Sequence, residues 1–126
     1  MTTPVQKKLT LTELIQQKEK YHVKNDTKVE LYLDQLDATI TIVKPERSLV
    51  IDALEMKEEG DPFLVYNVVV EPNLKDSDLH KAYECAEPTE IVHKIFDEGT
   101  IAGIAKASLK LAGWESDVKA VENLKN

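Results

Sequence analysis

The chain has 126 residues, 42% of them hydrophobic and 31% charged, with a formal net charge of −7. That length and balance suit a single domain that buries a core without metal or disulfides, and they argue against general disorder. The acidic excess leaves no surplus of Lys and Arg to release counterions from phosphates, so a nucleic-acid partner is not expected. A single cysteine, Cys85, cannot close an internal disulfide, which fits a reducing compartment. The amino terminus MTTPVQKK is polar, and no run approaches the ~20 apolar residues that span a bilayer. A cytoplasmic protein with no membrane partner is expected.

Residues 1–8 carry no periodic apolar pattern and are expected to be a flexible amino terminus. Thr10 followed by Glu13, flanked by Leu9 and Leu14, is a capping box with a hydrophobic staple. It predicts a helix from about Leu11 to Tyr21 that buries Leu11, Leu14 and Ile15. Val29, Leu31 and Leu33 then alternate with polar neighbours, as do Ile40 and Ile42 with threonines. Joined by Asp34 to Asp37, these two segments predict a β-hairpin whose apolar face must lie on helices. It is the one β unit expected.

Pro45 is expected to open a helix over residues 46–58 that buries Leu49, Val50, Ala53, Leu54 and Met56, with Gly60 closing it. Asp61-Pro62 then reads as an N-cap and first helical residue. The following FLVYNVVV (63–70) has strand propensity, but no neighbouring strand exists to pair with it. The expectation is a helix buried nearly all round, ended by Glu71-Pro72. Asp76 or Ser77 caps a short helix with Leu79, Ala82 and Tyr83, and Pro88 opens another with Ile91, Val92, Ile95 and Phe96. Gly99 separates that piece from a helix over 100–112, whose stripe is Ile101, Ile104, Ala105, Leu111 and Ala112. Gly113 reads as a left-handed C-cap that folds Trp114 back on the last turn. The fold class is therefore α+β: a predominantly helical small domain with one hairpin in its amino-terminal half, packed on helices. Residues 9–113 form the domain, and 114–126 a tail with the makings of a short amphipathic helix.

No catalytic constellation emerges. Cys85 with His80 or His93 is the one nucleophile–base or metal-like grouping, but the five-residue offset and the intervening Pro88 suit neither. A free cysteine is more often a small buried hydrophobe. Asp76, Asp78 and Glu87 mimic three calcium-loop positions, yet the glycine position holds Lys81. Glu55, Glu58 and Glu59 read as a solvated charge run. The four glycines are scattered and build no phosphate cradle. No cofactor and no metal are expected, and the protein is not expected to be an enzyme. The candidate partner-binding residues are Trp114, as an aromatic anchor, and Val118, Val121 and Leu124, which share one face of the tail. For both, packing on the protein's own core is an equal alternative.

Three stretches together carry a resemblance: TITIVKPERSLVIDALEM (39–56), LVYNVVVEPNLKDSDLHKAYECAEPTEIVHKIF (64–96) and GTIAGIAKASLKLAGWESDVKAVENLKN (99–126). In content and order the chain resembles the XkdN-like tail assembly chaperones of tailed phages and phage-derived elements. The most specific piece is VVEPNLKD followed by AYEC and EPTEIV. The resemblance implies a non-enzymatic assembly factor in the host cell, absent from the finished tail. It would bind the tape measure protein and help recruit the tail tube protein, as a homo-oligomer and with a longer frameshifted form. Codons for Leu124-Lys125-Asn126 permit the slippery sequence A AAA AAC. A rival reading from another class is a small acidic regulator that mimics nucleic acid; against it, acids and lysines are interleaved, as in Lys57-Glu58 and Asp117-Lys119.

Overall fold

The structure, a computed structural model, describes residues 7–114 and 118–121. Among these, seven α-helices and a three-stranded antiparallel sheet form an α+β domain with its hairpin in the amino-terminal half. The hairpin is the predicted one. β1 (Lys28–Leu33) and β2 (Ala38–Val43) pair with Leu31 opposite Ile40 and Leu33 opposite Ala38. Leu33, Ile40 and Ile42 are buried while the threonines between them are not, as period-two alternation requires.

At the centre stands α4 (Gly60–Val68), which packs against α3 (Arg47–Glu55), α6 (Ile91–Ile95) and α7 (Glu98–Leu111). It is buried nearly all round, as expected, with Leu64, Val65 and Val68 at or near zero exposure. The chain from 61 to 96 supplies half of the buried apolar side chains, Leu74, Ile91, Val92 and Phe96 among them. The run 63–70 is not all helix, however. Its last residues form β3 (Val69–Glu71), which pairs antiparallel with β2 through Ile42–Val69 and Thr41–Glu71, with a bulge between the two pairs. A partner strand does exist, namely β2. Once α4 delivers the chain to the free edge of β2, the β-branched propensity of Val69 and Val70 is satisfied there. Glu71-Pro72, a cis peptide, thus follows a strand rather than a helix.

Several boundaries are corrected. Glu46 precedes α3, so Pro45 is a buried residue ahead of the helix rather than its first one. On α3 only Val50 and Ala53 are buried; Leu54 and Met56 are 60% and 40% exposed. At ~100° per residue, Leu54 lies ~70° from the mean direction of Val50 and Ala53. Nor does Gly60 close α3. Lys57 does so, in the left-handed region with φ 57, at the position where glycine is usual. Gly60 instead begins α4, and Asp61 and Pro62 fall in its first turn, where amide donors lack intrahelical acceptors anyway. Similarly Gly99 lies inside α7, which Asp97 caps by accepting the Thr100 amide at 2.9 Å. Asp76 caps α5 (Ser77–Ala82) as expected, accepting the amides of Asp78 and Leu79.

The amino-terminal helix departs most from expectation. It is broken at Gln17 into α1 (Leu11–Gln16) and α2 (Lys18–Tyr21), and neither piece buries a residue. Its local signal is real: the Thr10 hydroxyl accepts the Glu13 amide at 3.2 Å and donates to the Glu13 carboxylate at 3.1 Å. Yet Leu9, Leu11 and Ile15 are 53%, 73% and 67% exposed. The stripe exists, and no part of the described fold covers it.

Candidate partner-binding surface

The residues singled out for chemistry are occupied structurally. Cys85 is half-buried against the core, and its backbone amide donates to the His80 carbonyl at 2.9 Å. The His80 ring donates through Nε2 to the Leu74 carbonyl at 2.7 Å. His93 meets Glu98 at 3.3 Å on the surface. Asp76 spends its carboxylate on the α5 cap. Among the described residues, no group of three or more His, Cys, Asp or Glu side chains stands where it would hold a metal. No buried side-chain polar atom there lacks a hydrogen-bond partner. Among the described residues the one buried polar side chain is Ser108, whose hydroxyl donates to the Ala105 carbonyl at 2.8 Å.

What the fold leaves open is apolar. Helix α7 ends in a Schellman motif: the Gly113 amide donates to the Lys110 carbonyl and the Trp114 amide to the Leu109 carbonyl, both at 3.0 Å. Gly113 has φ 82, which only glycine adopts freely. Trp114, which follows this reversal, is 43% exposed. There it lines a cleft of about 740 Å³ with Val23, Asn25, Pro45, Glu46, Arg47 and the end of α7. Sequence reading did not place Val23, Pro45 or Arg47 at a surface with Trp114. They come from the connector before β1 and from the turn into α3, and a lone apolar residue among lysines gives no periodic signal.

Val118 and Val121 lie beyond the cleft, 90% and 78% exposed and outside any regular element. Leu124 falls outside the described residues, as does most of the stretch on which a carboxy-terminal helix is expected. The cleft is fixed from its other side by Lys44. Its ammonium donates to the Lys24 carbonyl at 2.6 Å and its backbone amide to the Thr27 carbonyl at 2.8 Å. Both bonds hold the connector to the end of β2. Exposed Trp114 and Val23 beside a buried Pro45, framed by Lys44, Glu46 and Arg47, form the kind of surface that receives another polypeptide: an aromatic anchor within a polar rim.

Comparison with known proteins agrees with this picture of the fold. A family model described as "Phage XkdN-like tail assembly chaperone protein, TAC" matches residues 6–125, nearly the whole chain. Among solved structures, the crystal structure of the protein yqbn is similar, with a TM-score of 0.58 at 13% identity. The match covers 85% of this chain and 98% of that one. At that identity the likeness shows the fold alone. No curated protein matches the chain.

Proposed function

Because this chain belongs to the phage XkdN-like tail assembly chaperone family, we propose that it binds the tape measure protein and keeps it soluble while tail tube subunits are recruited. The role is non-enzymatic and is carried out in the cytoplasm of the host cell. No helix of the described residues is long and apolar enough to cross a membrane. The observation that carries the reading is the contrast between a closed core and uncovered ends. Polar groups inside the domain are satisfied, while Val23, Trp114, Val118 and Val121 stand open to water. Such side chains are what an assembly factor offers to the apolar faces of a long helical client. The client contact is assigned to Trp114, Val118, Val121 and Leu124, with the Val23–Pro45 wall of the cleft beside Trp114. A net charge of −7 would keep a client coated with many copies dispersed.

Co-expression with the tape measure protein tests this. The expected result is a soluble complex that co-purifies, and its loss when Trp114→Ala is combined with Val118→Ser and Val121→Ser. Because these side chains are exposed, the variant should fold as the wild type does. A tape measure protein that stays insoluble, with no complex recovered, would overturn the reading.

A further inference from the structure

The uncovered amino-terminal helix has a counterpart elsewhere on the same chain. A groove of about 490 Å³ runs between the end of β1 and the first half of α7. Leu31 and Leu33 line it from β1, and Gly103, Ile104 and Ala107 from α7. Its charged lining is Asp34 and Asp97, and it contains no lysine or arginine. Its volume lies within the ~300–1,000 Å³ typical of binding pockets. The segment 7–24 is the opposite in kind. It carries five lysines (7, 8, 18, 20 and 24) against Glu13 and Glu19, a net charge of +3 in a chain of −7, so that the remainder carries −10. Its apolar side chains, Leu11 and Ile15 above all, are exposed on a helix of six residues, too short to be stable in water without support.

We infer that this basic arm of one copy seats Leu11, Leu14 and Ile15 in the β1–α7 groove of a second copy, where Asp34 and Asp97 face its lysines. The occupant is a second copy because the arm's own groove is at the wrong end of the sheet. The arm leaves the fold beside Lys28, at the start of β1, where Lys44 holds the carbonyls of Lys24 and Thr27. The groove opens at Leu31 to Gln35, at the other end of a six-residue strand, which spans ~20 Å. On its own fold the arm stands uncovered, and none of its residues lines the groove. A contact of arm to groove is self-complementary without a client, so the chain assembles with itself by a surface separate from the Trp114 cleft.

The test uses the full chain alone, by light scattering after size exclusion across a concentration series. Wild type is expected to rise above the 14.2 kDa of one chain as concentration increases, and to fall back as salt is added. The double variant Leu11→Asp/Ile15→Asp removes the arm's apolar face from positions that are exposed in the monomer. Gly103→Leu fills the groove from an exposed helical position where an added Cβ meets nothing within 4 Å. Each should weaken self-association at least about tenfold while the far-ultraviolet spectrum stays that of wild type. Mixed in equal amounts, the two variants should regain a complex of two chains, since one keeps the groove and the other the arm. The inference is overturned by a wild type that stays monomeric or whose association ignores salt, by variants that associate as wild type does, or by a mixture that stays monomeric. None of these outcomes bears on client binding through Trp114.

Discussion

Gly60 and Gly103 are both helical glycines, yet the same substitution should move stability in opposite directions. A Cβ built on Gly60 would sit 2.1 Å from the Ala53 carbonyl oxygen and 3.0 Å from its carbon. Ordinary contact begins at ~3.5 Å, so the corner between α3 and α4 must open by more than about 1 Å. The obstacle is backbone, and the same oxygen accepts the Met56 amide at 3.1 Å, so it cannot yield without loosening the end of α3. Overpacking costs ~1–3 kcal/mol, and a backbone obstacle belongs at the upper end. The gain in helix propensity from Gly to Ala returns about 1 kcal/mol. Gly60→Ala should therefore destabilise by about 2 kcal/mol, and Gly103→Ala, in open space, should stabilise by about 1 kcal/mol. At about 4 °C per kcal/mol for a domain of this size, the two melting temperatures should differ by about 12 °C. Thermal unfolding followed by circular dichroism measures this. A Gly60→Ala protein melting at or above wild type would refute the close approach of α3 and α4.

Leu64 is 1% exposed at the centre of α4, and Leu64→Ala should cost about 2–5 kcal/mol in urea titration, with the slope unchanged. Lys57→Gly should gain about 1 kcal/mol by the same titration, because it removes the left-handed penalty at φ 57. The Thr100 bonds hold the Asp97 carboxyl below its ordinary pKa. Its contribution to stability is therefore present above the unfolded-state value and lost as pH falls through the folded-state value. Asp97→Ala should accordingly lower the melting temperature at neutral pH, with the gap to wild type closing as the solution is acidified.

Much of the local structure was legible from residue order because its causes act within one turn of chain. Thr10, Asp76 and Gly113 each satisfy backbone groups three to five residues away, so their effect does not depend on the rest of the fold. Alternation in 29–33 and 39–42 likewise announced the hairpin, since a strand facing a core needs only period two. Gly60 was misread for an instructive reason. It is the one glycine near the end of α3, the usual sign of a left-handed stop, but Lys57 takes that conformation and Gly60 serves a contact between two helices. The cleft at Trp114 was half legible: the aromatic residue was, its neighbours Val23 and Pro45 were not, because they converge from segments remote in sequence.

The residue pattern by itself determined the caps at Thr10 and Asp76, which faces are apolar and that one hairpin forms, since each follows from hydrogen bonds and periodicities a few residues long. The tertiary structure alone decided that Val69 to Glu71 would join β2 as a third strand, and that the apolar stripe of Leu11 and Ile15 would stay uncovered. Whether an apolar face is buried depends on what the rest of the chain brings opposite it, and that is a property of the packed whole rather than of the stretch that carries the pattern.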